Sequence, residues 1–397
     1  MNLDLIFALI FYGIIFLLFV KYRNKFEVQN KIFVLYKTKL GIKLMNKLSS
    51  KIPRILHYIS YLSITIGFIG MIITFLFLIK GVWNMIFIPN AIPVLAPVLP
   101  GVSIPGVPTL SFWHWIIAIL ITAVVHEFFH GVYASLAKVK IKSSGFAFLG
   151  PILAAFVEPD EKQLAKKSTH KQLSVLSAGP FSNIVLAFVF FLIGIFIIAP
   201  VTSSILELNG IQIVDINKDL PIAQTSLKSG DQILAIDNET VINQTHFSSI
   251  IKSHKPGDIL NIQTQDKIIP VELSSNPENK SLPIMGVTIS YAKADIKPSI
   301  KKIFGNTPLA LFWILKLVFW VYAISLGVGL FNLLPLGPVD GGRMFYSASL
   351  FIFKKQEKAK KAYQYATLIC LLLIFINLSP YIIKLLAFLI HPLIALL

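Results

Sequence analysis

Apolar residues along this chain come in long, nearly uncharged runs separated by short polar stretches. The runs cover about Leu3–Val20, Tyr58–Ile79, Ser111–Ala137, Leu173–Ala199 and Pro308–Leu334, and a last stretch begins near Ala366. Most are close to the ~20 residues that a bilayer-spanning helix needs. About six transmembrane helices are therefore expected. The last stretch should span to about Leu378 and break at Ser379-Pro380 into an interfacial or re-entrant piece. KYRNKF follows the first run, so its positive charge comes after the apolar stretch; a signal peptide carries it before. This run reads as a retained helix.

Between the fourth and fifth runs the pattern changes. IQIVDI (Ile211–Ile216), DQILAID (Asp231–Asp237) and DILNIQT (Asp258–Thr264) alternate apolar and polar residues, as half-buried strands do. Ser229-Gly230 and Pro256-Gly257 mark turns, and Asn243–Ser253 has helical spacing. The fold class that follows is a polytopic α-helical membrane protein with an inserted β-rich extramembrane domain. Its expected segments are 1–110, 111–199, 200–305, 306–345 and 346–397. Within the insert, PIAQTSLKSGDQILAIDNETV resembles the core of a PDZ domain, which implies a domain that binds an extended peptide at a sheet edge.

Composition agrees: 55% of residues are hydrophobic and only 14% charged, against roughly 25% charged in soluble domains. The net charge is +17, yet residues 200–305 hold 10 Lys and 11 acidic residues. The excess therefore lies in the loops between apolar runs, which marks membrane topology and argues against nucleic-acid binding. Segments 21–54, 138–172 and 335–365 are the basic ones and are expected in the cytoplasm. Loop 81–110 and the β-rich insert then fall outside. The run Lys354–Gln364 reads as a solvated helix touching anionic headgroups. The single cysteine, Cys370, excludes a disulfide framework and any CxxC metal site.

The chemistry sits in the third run, as HEFFH: His126, Glu127 and His130. Positions i and i+4 share a helix face, so two imidazoles can hold one tetrahedral ion while the intervening Glu serves as general base. An ionisable group at mid-bilayer costs at least ~2.5 kcal/mol, and a bound cation compensates for three polar groups in one turn. Counting from Ser111 at about 1.5 Å per residue, His126 lies roughly 22 Å in, past the midplane. A third ligand must come from elsewhere. Asp340 in FNLLPLGPVDGGR is the only acid between Lys297 and Glu357. Pro335 and Pro338 stop the preceding helix, and three glycines permit a tight path back toward HEFFH. Zn2+ is the cofactor expected.

HEFFH, AGPFSN and NLLPLGPVDGG, in this order around a PDZ-like insert, resemble the site-2 protease family of intramembrane zinc metalloproteases, over roughly Phe112–Met344. The resemblance implies that His126, His130 and Asp340 hold zinc and that Glu127 is the catalytic carboxylate. It further implies that Asn183 and Asn332 seat the unwound substrate backbone. Val339 stands where the family more often has Leu. A transmembrane protein substrate, a peptide ligand of the PDZ-like domain and the lipid bilayer are the partners implied. GFAFLGPILAAFVEPDE (Gly145–Glu161) reads as a membrane-embedded hairpin or loop on the cytoplasmic side, where an exposed edge strand could pair with substrate. Two rival readings are a non-catalytic PDZ scaffold with a structural metal site and a zinc transporter. A structural site needs four closed ligands and has no use for Glu127; a transporter needs ligands spread along a path.

Overall fold

In a computed structural model, residues 3–29, 33–88, 93–100, 107–149, 152–217, 220–276, 279–305 and 310–394 are described. The chain divides into two units, Met1–Ile195 with Ile314–Leu397, and Phe196–Trp313.

The first unit is mostly helical. It contains α1 (Leu3–Lys21), α2 (Ile42–Lys51), α3 (Pro53–Phe87), α4 (Phe112–Leu136), α5 (Glu161–Ala165) and α6 (Thr169–Ile193). Six helices among the described residues are long and apolar enough to cross a membrane, α1, α3, α4 and α6 among them. The protein is multi-pass. α1 meets α4 through aromatic rings, Phe11 standing edge-on to Phe112 at 5.5 Å.

Between these helices lies a four-stranded antiparallel sheet in the order β1 (Phe26–Gln29), β2 (Phe33–Thr38), β3 (Ile141–Leu149), β4 (Ile152–Pro159). β3 and β4 are the hairpin expected from GFAFLGPILAAFVEPDE; its Gly150-Pro151 tip lies outside the described residues. The basic segment after α1 supplies the other two strands, with Tyr36 opposite Phe146 and Phe26 opposite Tyr36. Lys37 on β2 bridges Glu27 at 2.8 Å and Glu158 at 3.6 Å, tying three strands together. β4 is left at the sheet's edge. Just beyond it, Asp160 caps α5 by accepting the Gln163 N–H at 3.0 Å, and this bond holds its carboxyl below the usual carboxylate range.

The second unit has a β-rich core. α7 (Ala199–Ile205) leads into β5 (Leu206–Ile216), and α8 (Gln244–Lys252) and α9 (Pro298–Phe304) follow later in the chain. β5 pairs with β6 (Gln232–Ile233) and with β13 (Val287–Ile296). A second sheet runs β10 (Ile268–Glu272), β9 (Ile259–Gln263), β7 (Ala235–Ile236), β8 (Glu239–Thr240). β11 (Ser274–Ser275) and β12 (Pro283–Ile284) form a small ribbon. The strand alternation is realised: Leu260, Ile262, Ile269 and Val271 point into a core with Ile211 and Ile213. Asn243 caps α8 by accepting the His246 N–H, and Phe247, Ile250 and Ile251 seal that core.

The chain returns to the first unit through α10 (Ala310–Asn332), α11 (Asp340–Phe353) and α12 (Gln356–Ile394). Residues 333–339 are non-helical. Their carbonyls need partners, and α12 provides two of them. The Tyr363 hydroxyl donates to the Gly337 carbonyl at 2.8 Å, and the Thr367 hydroxyl to that of Pro335 at 3.5 Å. The expected break at Ser379-Pro380 does not occur; α12 runs through it. Pro380 leaves the Ile376 carbonyl without its helical N–H, and the Ser379 hydroxyl takes that carbonyl at 2.7 Å.

Candidate metal and catalytic site

α4 carries His126, Glu127 and His130, the two imidazoles one turn apart, and Glu127 is the only Asp, Glu, Lys or Arg on this helix. α11 starts at Asp340, immediately after the non-helical segment, so its carboxylate sits at a helix N-terminus. Gly341 and Gly342 allow that start. A Cβ on Gly342 would strike the backbone of Leu336, and one on Gly341 the backbone of Leu333 and Leu334. Backbone cannot swing aside as a side chain can. Gly342→Ala should therefore destabilise the fold by about 1–3 kcal/mol, typical of overpacking. Thermal unfolding in detergent checks this; an unchanged midpoint would show that the segment yields easily.

The donor atoms converge. His126 Nε2 and His130 Nε2 are 3.1 Å apart, and Asp340 Oδ2 lies 3.1 Å from the first and 3.2 Å from the second. Among the described residues these three form the one cluster able to hold a metal ion. A tetrahedral zinc with bonds of ~2.0–2.1 Å sets its donors roughly 3.3–3.4 Å apart, so the triangle fits with a shift of a few tenths of an ångström. Two buried imidazole nitrogens at this distance from each other and from a carboxylate oxygen could share one cation. Each ring is held from behind at Nδ1. His130 Nδ1 donates to the Val175 carbonyl at 2.7 Å, and His126 Nδ1 meets the Asn183 amide at 2.9 Å. Such partners orient a ligating imidazole.

Glu127 shares a cavity of 250 Å³ with these groups, and Val157, Asn332 and Arg343 also line it. Its Oε2 accepts the Val157 N–H at 2.9 Å, so the edge of β4 stands against the site. Arg343 pairs with Glu161 at 2.7 Å on the cavity wall.

The structure thus brings His126, Glu127, His130 and Asp340 together. Asn332 lines the cavity and donates to the Val328 carbonyl of its own helix at 3.0 Å. Asn183 is fully buried on His126. Three groups were invisible to motif reading: the Val175 carbonyl, the Val157 N–H and the Arg343–Glu161 pair. Backbone groups carry no letter in a sequence. Gly179 was visible within AGPFSN, but its function was not: a Cβ there would collide with both imidazoles.

Known proteins give the arrangement its place. An uncharacterized protein of Methanocaldococcus jannaschii is 30% identical over 326 residues, 78% of this chain and 76% of its own. Zinc metalloprotease RasP of Geobacillus kaustophilus is 24% identical over 48% of this chain; the match spans about half of that relative, 53%. Among solved structures, the PDZ domain of an SdrC-like protein from Listeria monocytogenes aligns with 20% of the chain at 24% identity and a TM-score of 0.19. The profile of Peptidase family M50 matches residues 114–376, which include HEFFH, Asn183 and Asp340. The chain belongs to Peptidase family M50.

Proposed function

We propose that the protein is a zinc endopeptidase that hydrolyses a peptide bond within a transmembrane segment of a membrane-tethered substrate. The observation that carries this is one cavity holding three convergent metal donors and Glu127, with both imidazoles and Glu127 on α4, a helix apolar enough to span a bilayer. His126, His130 and Asp340 would hold the ion. When bound, zinc supplies Lewis acidity toward the scissile carbonyl and toward water. Glu127 takes a proton from the attacking water and hands it to the leaving amine.

The substrate helix must unwind locally before it can be cut, and its freed backbone groups need partners. The edge of β4 supplies them. Val157 turns its N–H outward to Glu127, and by strand alternation Leu153 and Ala155 present theirs on the same side. An extended substrate pairs along this edge. The Asn332 side-chain carbonyl seats one further substrate N–H. Ala155→Pro tests the template, because proline is tolerated at an outward edge position but removes the donor. Losing one such bond at ~0.5–1.5 kcal/mol should slow cleavage of a transmembrane reporter by about 2- to 13-fold. Unchanged cleavage would remove β4 from the mechanism.

The basic loops support a site toward the cytoplasm. The PDZ-like unit then lies outside, as a peptide reader or a sieve for substrates already trimmed of bulky outer domains. The scaffold reading is disfavoured by Glu127, which a structural site would not require. The deciding assay uses the purified chain in proteoliposomes with a single-span reporter. A zinc chelator should abolish cleavage, and added zinc should restore it. Chelator-resistant cleavage would refute the metal mechanism.

A further inference from the structure

One face of α6 backs the whole site. Val175, Gly179 and Asn183 recur at four-residue spacing, so they stack along that face. The Val175 carbonyl accepts from His130 Nδ1 at 2.7 Å, and the Asn183 amide meets His126 Nδ1 at 2.9 Å. Gly179, between them, faces the Nε2 edges of both rings. The helix therefore grips the two imidazoles at their far nitrogens, two turns apart.

The two grips differ in one respect. Val175 offers an oxygen. Asn183 turns Nδ2 toward the ring, and its Oδ1 is a buried acceptor with no partner. Asn183 is 0% exposed, and α10 closes over it, with Gly329 packed against its Cβ. An unpartnered acceptor at such a place is costly. Its proper partner follows from His126. A neutral imidazole that offers the Nε2 lone pair to a cation carries its proton on Nδ1. That proton needs an acceptor where Asn183 now presents a donor. The two ends of an amide have nearly the same shape, so a half-turn exchanges them without moving α6.

We propose that Asn183 is a positioning residue for the metal: in the loaded site its Oδ1 accepts the His126 Nδ1–H, fixing the tautomer and ring plane as Val175 does for His130. The proposal rests on His126 and His130 being zinc ligands. It also reassigns Asn183, since an amide enclosed between α4, α6 and α10 has no face left for a substrate strand.

The experiment measures zinc affinity of the full-length detergent-purified protein by competition with a chromophoric chelator. Two variants bracket the side chain. Asn183→Leu keeps the size and removes the acceptor; its zinc affinity should fall 10–100-fold. Asn183→Asp presents oxygen whichever way it turns; its affinity should equal or exceed that of the unmodified protein. The visible spectrum of the cobalt-substituted protein should shift in the Leu variant and hold in the Asp variant. Leu at a buried site risks the fold, so the Asp variant carries the test alone if needed: a tenfold loss there overturns the proposal. Undiminished zinc affinity in a folded Leu variant, with a raised KM for the reporter, would return Asn183 to the substrate. An unmodified protein that binds no zinc would count against the metal site itself.

Discussion

Glu127→Gln should lower the rate of reporter cleavage by about 10²–10⁴-fold, the usual contribution of a general base, while zinc content stays at that of the unmodified protein. The substitution keeps the side chain's volume and an oxygen able to accept the Val157 N–H, which it now receives at 2.9 Å. It removes only the capacity to take a proton. The three donor groups on α4 and α11 are untouched. A fall in activity with the metal in place therefore separates Glu127 from the ligands. His126→Ala and Asp340→Asn should lose both together. Single-turnover cleavage alongside metal analysis reads the two quantities. An active Glu127→Gln protein would end the assignment of Glu127 as base.

Gly179→Ala should be nearly as severe, by a different route. The added methyl would lie against the Nε2 atoms of His130 and His126, where the proposed ion would sit. Neither ring can retreat easily, since each is tethered at Nδ1 to α6 itself. We expect zinc affinity to fall at least tenfold, in line with disturbed ligand orientation, and cleavage to fall with it. Folding should persist, because the space the methyl takes is the one proposed for the ion. Equilibrium zinc titration checks this, and an alanine variant with normal affinity would show that α6 stands farther back than described.

The convergence of the site residues was legible where it depended on side-chain spacing. His126 and His130 at i and i+4 on an apolar helix could point only to one face. Asp340 stood out as a lone acid behind two prolines and beside two glycines. The hairpin was legible because its apolar residues were too few to span and were broken by Gly-Pro. Other parts were hidden for physical reasons. β1 and β2 are short and lie in a segment whose lysines read as a topology signal, yet they extend the β3–β4 sheet on its far side. α12 continues through Pro380, and the Ile376 carbonyl that the proline leaves free accepts the Ser379 hydroxyl, a contact that no helix-breaking rule anticipates. The support that α12 gives to residues 333–339 comes from Tyr363 and Thr367 reaching backbone carbonyls, contacts that only the tertiary fold defines. Asn183 was picked out by motif, but its hydrogen bond to His126 could not be read from spacing, because α4 and α6 are separate elements.

The central claim is that one divalent ion joins α4 to α11. X-ray absorption at the zinc edge of the purified full-length chain tests it most directly. One zinc per chain is expected, with two imidazole nitrogens and oxygen donors at ~2.0–2.1 Å, and Asp340→Asn should lose the ion. A zinc shell without imidazole, or one that Asp340→Asn leaves unchanged, would contradict it.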